Sequence, residues 1–287
     1  EGDTRRSKEA MDERTQWSIH DIELTAEEDH AWWSFPVQAV LTHVESRTEI
    51  VVEGFWDSGR TWRVRYVLPT PGVWTWTTRS DDAGLNGASG EVCAGVPTQA
   101  QVASNPNYRG HIRISGNGRY FEYADGTPFL LLADTLWAGN SARCGLGQNS
   151  DGPFYEYLAD RKAKGFTAIL MQYMRGFGDT TNEGAGQRNE GGYPFENGDV
   201  NHLNPGFFQA MDRRMDVLWH DGWAAATPVT WFGKQNCFFS LEWAKRISAY
   251  VMGRFGAYNT IWSLSGEYQY AMKDCGWTDA DIDELGD

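Results

Sequence analysis

Two rhythms of apolar and polar positions run along this chain, and one gives way to the other near residue 103. From Trp17 to about Val102 short runs alternate with period two: "HDIELTA", "PVQAVLTHV", "TEIVVEGFW", "TWRVRYVLP" and "GVWTWTTRS". That period sends successive side chains to opposite faces of a strand. Turn clusters separate the runs, at Asp57-Ser58-Gly59, Pro69-Thr70-Pro71-Gly72 and Gly84-Leu85-Asn86-Gly87. Short alternating strands at about ten-residue spacing predict an antiparallel β-sandwich over residues 17–103. The turn at Pro71-Gly72 is expected to close a hairpin. Residues 1–16 are polar and charged and are expected to form a loosely attached N-terminal tail.

Beyond residue 103 short apolar strands alternate with helical segments. "FLLLADT" precedes "PFYEYLADRKAKG", and "FTAILMQYM" precedes, after a long polar loop, "PGFFQAMDRRMDVLWHDG". "WAAATPVTWF" precedes "SLEWAKRISAYVMGRFG", and "YNTIWSLSGEY" precedes "TDADIDELGD". Phe208, Met211, Met215 and Leu218 share one helical face, as do Trp243, Ile247, Tyr250 and Val251. Pro205 and Ser240 suit helix starts, and Gly165, Gly222 and Gly256 suit helix stops. Apolar strands alternating with amphipathic helices predict a parallel sheet covered by helices over residues 104–287.

Composition narrows the function. The chain of 287 residues carries 14 Trp, 12 Tyr and 14 Phe. So much Trp fits either a Trp-rich core or faces on which sugar rings stack. The net charge of −14 argues against nucleic acid and against an anionic membrane surface. No apolar run is long enough to span a bilayer. The opening stretch "EGDTRRSKEAMDERTQW" has no apolar core of a signal peptide and reads as a mature or trimmed start. The four cysteines, at 93, 144, 237 and 275, fit no zinc spacing and leave disulfides and free thiols equally open. "GNGRYFEYADG" is hairpin chemistry rather than a phosphate loop. Neither a cofactor nor a metal centre is expected.

In parallel α/β folds, function gathers at the C-terminal ends of the strands. The first such end carries Asp134 and Trp137, the second Gln172, Tyr173 and Arg175, the third Trp231, and the fourth Glu267 and Tyr268. Asp134 suits either a brace between loops or a substrate contact, and Trp231 either a cleft or the core. Arg175 suits an ion pair with the next loop as well as a ligand. Glu267 is the candidate catalytic residue. It follows an apolar strand, sits among aromatics and has no Lys or Arg within five residues, an expensive place for an unpaired charge. The Gly- and Asn-rich loop 176–204 is read as a wall of the same site.

Residues 109–137, "RGHIRISGNGRYFEYADGTPFLLLADTLW", resemble the start of the apiosidase-like (DUF4038-type) catalytic domain, a glycoside hydrolase barrel. "YLADRKAKGFTAILMQ", "NPGFFQAMDRRMDVLWHDGW" and "FGAYNTIWSLSGEY" extend the likeness over residues 105–270. "VEGFWDSGRTWRVRYVLPTPGVWTWTT" resembles the DUF5060 domain that often precedes such barrels. The resemblance implies a (β/α)8 TIM barrel that cleaves glycosidic bonds in oligo- or polysaccharides, in a secreted or periplasmic setting. It places an acid/base carboxylate at the end of the fourth strand, usually as Gly-Gly-Asp, where this chain has Ser265-Gly266-Glu267. It also implies substrate binding at Asp134. A retaining mechanism needs a second carboxylate as nucleophile, and related barrels carry it on the seventh strand. Only four strand–helix units are legible here. The expectation is therefore the first half of a barrel, completed by a second polypeptide carrying the nucleophile, with a homo-oligomer as a further candidate assembly. The competing expectation is a carbohydrate-binding protein with a degenerate barrel, and a scaffold built on the sandwich is a third.

Overall fold

The structure is a computed structural model that describes residues 12–174, 188–231, 240–266, 268, 269, 272, 273 and 276–286. The N-terminal part forms two facing sheets. The larger runs in the order β1 (Asp12–Thr15), β8 (Ser89–Gly95), β7 (Gly72–Ser80), β3 (Val37–His43), β4 (Glu49–Glu53). The smaller runs β2 (His20–Thr25), β6 (Thr61–Tyr66), β5 (Phe55–Ser58). Their inner residues form one apolar core, with Leu24, Trp62 and Val64 from the smaller sheet meeting Val37, Leu41, Trp74 and Val92 from the larger. The period-two pattern gives this directly, since every second residue turns inward.

Three details depart from the sequence reading. "TEIVVEGFW" is two strands, because the chain passes from β4 in one sheet to β5 in the other at Gly54. A Cβ on Gly54 would lie 2.5 Å from Val37 Cγ1, so the crossing needs glycine. The turn at Pro71-Gly72 closes no hairpin: β6 and β7 lie in different sheets. Two prolines in three residues lack the N–H a ladder requires, and the chain leaves one sheet before entering the other. Asp12–Thr15, expected in the tail, pair in parallel with β8, so the layer is not wholly antiparallel.

A meander of β9 (Ile112–Ile114), β10 (Phe121–Tyr123) and β11 (Pro128–Phe129) then leads into a parallel sheet. That sheet runs in sequential order: β12 (Ala133–Thr135), β13 (Ala168–Leu170), β14 (Ala224–Trp231), β15 (Thr260–Gly266). A short helix α1 (Gln99–Ser104) links the two parts. Helices α2 (Pro153–Ala163), α3 (Pro205–His220) and α4 (Leu241–Phe255) follow the first three parallel strands, and α5 (Asp279–Gly286) follows the fourth. The Asn204 side chain caps α3 through the N–H of Gly206, and Gly222 ends it at φ 77°. Ser240 caps α4 through the N–H of Trp243. Phe208, Met211, Met215, Trp243, Ile247 and Tyr250 bury the stripes the periodicity predicts, against Ile169, Met171 and Ala225 of the β13 and β14 segments.

A buried ionic network joins the two parts. Arg65 on β6 holds both Asp21 oxygens at 2.8 and 2.9 Å and reaches Asp212 of α3 at 2.8 Å. Arg254 of α4, wholly buried, bonds Asp57 of β5 at 2.8 Å and also pairs with Asp212. The two guanidinium groups flank the ring of Phe55 at 5.2 and 4.9 Å. Burial works to raise the Asp57 carboxyl, but the charges and hydrogen bonds of Arg254 and Arg63 outweigh it and the net direction is down. Among the described residues no helix is long and apolar enough to cross a membrane.

Candidate functional site at the strand ends

The C-terminal ends of β12 to β15 form one edge of the parallel sheet. Trp231 and Gly266 are register partners there, and Glu267 is the next residue in the chain. Glu267 and Arg175 lie outside the described residues, as does the Trp231 side chain.

Parallel pairing decides which face each described candidate takes. Asp134 pairs with Ile169, which belongs to the helix-side core. Residues paired across a ladder share a face, so Asp134 points toward the helices, where it pairs with Arg161 of α2. The Tyr157 hydroxyl and the Arg161 guanidinium, both on α2, hold its carboxyl below the usual range. Of the two readings open in the sequence, the geometry is that of a brace between β12 and α2.

Tyr173 is placed in the core and not in a cleft. It is 1% exposed, stacks on Phe255 at 4.6 Å and 8°, and lies 6.0 Å from Trp262. The odd-numbered residues Ile169, Met171 and Tyr173 continue one alternation onto the helix side, and burial pushes the phenol far up. Gln172, on the alternate position, is buried too. Trp137 and Tyr268 are open to solvent, at 45% and 46% exposure. The described candidates thus divide: Trp137 and Tyr268 are accessible near the strand ends, while Asp134 and Tyr173 turn to the helices.

A set of polar side chains that sequence reasoning passed over fixes the loops at this edge. Arg214 of α3 is fully buried; its Nε donates to the Gly139 carbonyl at 2.8 Å, and its Nη2 to those of Ser141 and Cys144 at 3.4 and 3.2 Å. Its two terminal nitrogens grip Glu190 at 2.7 and 2.9 Å. Burial works to raise Glu190, but hydrogen bonds from Arg214 and from the Leu146 N–H carry it below its ordinary value. Asn140 donates to the Tyr173 carbonyl at 2.5 Å, and Asn189 donates to Asn140 at 3.1 Å and to the Phe207 carbonyl at 2.8 Å. The loop after β12 and the 188–192 turn are thereby locked together. One signal was legible: Arg214 falls three residues after Met211, on the apolar stripe of α3, where a cation must find partners.

Among the described residues no group of three or more His, Cys, Asp or Glu could hold a metal ion. Cys93 and Cys144 are free thiols, and burial pushes Cys144 up.

The model of the apiosidase-like catalytic domain matches residues 115–284, and the chain belongs to that family. A domain of unknown function, DUF5060, matches residues 13–81. A comparison with curated proteins finds no match. Among solved structures, a candidate glycoside hydrolase from Bacteroides vulgatus superposes with TM-score 0.74 at 22% identity, over 96% of this chain and 53% of its own. This chain therefore spans about half the length of that relative, and the likeness is one of fold. Two weaker likenesses are a family 5 glycoside hydrolase from Bacteroides vulgatus and a family 5 xyloglucanase from Bacteroides ovatus. The first has TM-score 0.46 and 19% identity over 63% of this chain and 39% of its own. The second has TM-score 0.36 and 11% identity over 96% and 57%.

Proposed function

We propose that this chain carries the acid/base side of a retaining glycoside hydrolase acting on an oligo- or polysaccharide outside the cytoplasm. The observation that carries the reading is the family match over residues 115–284, combined with a parallel sheet whose fourth strand ends immediately before Glu267. In this reading Glu267 protonates the leaving oxygen and then, as a base, activates the water that releases the sugar. Trp137, Gln172, Arg175, Trp231 and Tyr268 are assigned to the substrate-binding surface. Asp134 supports that surface from behind, through Arg161, and Tyr173 supports it from the core. The sandwich is assigned to residues 17–103 together with the paired strand Asp12–Thr15, and the catalytic part to 104–287.

The parallel sheet is further read as the first half of an eight-stranded barrel. Its face opposite the helices is exposed at Thr135 and Ser263, with Leu130 to Leu132 exposed just ahead of β12, and parallel sheets are ordinarily covered on both sides. Strands supplied from outside these residues would cover that face and bring the nucleophile about 5 Å from Glu267, the separation a retaining mechanism requires.

The test is Glu267→Gln, assayed for new reducing ends on a panel of plant and algal polysaccharides, with the completing segment present. The expected loss of turnover is about 10²- to 10⁴-fold with folding intact. An activated aryl glycoside, which needs little protonation, should lose less in the first step. Wild-type turnover in the variant would refute the assignment.

A further inference from the structure

Between β2 and β3 the chain leaves the sandwich as a segment, residues 26–35, whose polar partners lie at both ends. At its start it is fastened to the sandwich. The Asp82 carboxylate accepts the backbone N–H of Glu27 at 2.9 Å and of Glu28 at 3.0 Å, and lies 2.8 Å from His30 Nε2. Arg60 adds a bond to the Glu27 carbonyl at 3.0 Å. These bonds hold Asp82 firmly ionised, the Glu27 N–H first among them.

At its far end the segment delivers Trp32 to the other part of the molecule. Trp32 is 4% exposed, and its ring meets Tyr250 of α4 edge-on at 5.5 Å. Its indole N–H donates to the carbonyl of Asn201 at 3.0 Å. The neighbouring carbonyl, Val200, accepts the indole N–H of Trp243 from the first turn of α4 at 3.2 Å. Two consecutive carbonyls of the 195–203 loop are thus held by two indoles, one from the sandwich and one from the catalytic part. The loop closes on itself through the Glu196 N–H and the His202 carbonyl, 2.9 Å apart, and through the Phe195–Leu203 bridge. It lies against the start of α4, the end of that helix entered from the C-terminal end of β14. That is the side of the sheet where the candidate site lies.

A packing residue needs only its ring. Trp32 in addition aims its one polar atom at the backbone of a loop whose tip, Asp199 to His202, is largely exposed, with Val200 its one half-buried residue. We infer that Trp32 is a positioning residue: the sandwich, through the segment 26–35, sets the conformation of the 195–203 wall of the strand-end site. The inference rests on the glycosidase reading for what the wall does, though not for the wall being held. It assigns the sandwich a part in substrate engagement without giving it a sugar site of its own.

The experiment compares the full chain with Trp32→Phe, which keeps a ring and removes the N–H, and with Trp243→Phe as its counterpart across the loop. Hydrogen exchange of the 195–203 amides is read beside that of α3 and α4. One lost hydrogen bond of ordinary net strength predicts exchange about 3- to 10-fold faster, confined to 195–203, in both variants. With the completing segment present, on a polysaccharide that the wild-type protein cleaves, Trp32→Phe should raise KM while kcat stays within about twofold. Unchanged exchange at 195–203, or acceleration spread evenly over α3 and α4, would overturn the inference, as would local acceleration with KM unmoved. Failure of the glycosidase reading shows up separately, as no cleavage of any glycoside by the wild-type protein, and leaves the exchange result standing.

Discussion

On the helix side of the parallel sheet, Ile169, Met171, Ala225 and Tyr173 meet Met215, Tyr250 and Phe255 and exclude water. On the opposite side Ala168 and Ala224 are covered by Tyr123 and Phe129 of the small meander. Further along the strands that cover ends, and Thr135 and Ser263 are exposed, with Leu130 to Leu132 exposed just ahead of β12. Both faces come from the same short apolar strands. The helix side has the burial and interdigitation of a finished interior, and the other is open to solvent at these positions. Strand patterning alone does not separate the two, because a strand buried on both faces reads as a continuous apolar run.

Cutting the finished side should cost most. Arg254→Ala removes the buried cation that Asp57 and Asp212 share and leaves each with one remaining guanidinium, Arg63 for Asp57 and Arg65 for Asp212. Loss of one member of a buried ion pair typically costs about 3–5 kcal/mol. Arg214→Ala should fall in the same range, since it strands Glu190 together with three loop carbonyls. Urea unfolding monitored by Trp fluorescence measures both. A change below about 1 kcal/mol for either would show that the network is not a structural tie.

The two faces can be set against each other by matched truncations. Phe255→Ala, in the helix-side core, should destabilise by about 3–5 kcal/mol. Leu131→Ala, on the exposed side, should change stability by about 0.5 kcal/mol or less. If strands supplied from elsewhere cover that face, Leu131→Ala should instead weaken assembly with them, which analytical ultracentrifugation of the mixture reads directly. Equal costs for the two truncations in the isolated chain would erase the distinction between the faces.

Much of this architecture was legible in the sequence, for identifiable reasons. Helices α3 and α4 announce themselves by apolar period and by Pro205 and Ser240 at their starts. β7 spans the run "GVWTWTTRS" because its alternation is strict. What escaped was non-local. Nothing within "TEIVVEGFW" says that Gly54 must pass against Val37, and nothing around Pro71 says that the flanking strands belong to different sheets. At the site, strand ends were legible but faces were not. Asp134 and Tyr173 stand at the strand ends the pattern marks, yet parallel register turns both toward the helices. Arg214, in contrast, could have been found, as a cation on an otherwise apolar stripe.

Asp134→Asn tests the face assignment at moderate expected effect. The Asp134–Arg161 pair is partly exposed, and exposed pairs contribute little to stability. As a brace, Asp134 should leave KM near the wild-type value in its Asn variant, with a small fall in melting temperature. A large rise in KM with an unchanged melting temperature would instead make it a substrate contact, reached from the face opposite to the one its register assigns.

The smallest effect expected is on pH dependence, and it centres on one histidine of the sandwich. His20 on β2 is lowered from 6.5 to about 4, first by burial and then by the charge of Arg14, against the opposing pull of Asp12 and Asp21. A histidine with a depressed value resists protonation in the folded state, so its contribution is complete above pH 6.5. That contribution is lost progressively as pH falls from 6.5 through about 4. Asp57 and Glu190, both lowered, act in the same sense but only as pH drops below the ordinary carboxylate range. Asp216 acts oppositely: burial raises it, so its contribution is present at low pH and fades as pH rises through its folded value. Denaturation midpoints between pH 7 and 4.5 should therefore decline, and His20→Asn should flatten that decline while leaving the further loss below pH 4 in place. A slope between pH 6.5 and 4.5 that is identical in His20→Asn and wild type would remove His20 from the acid response.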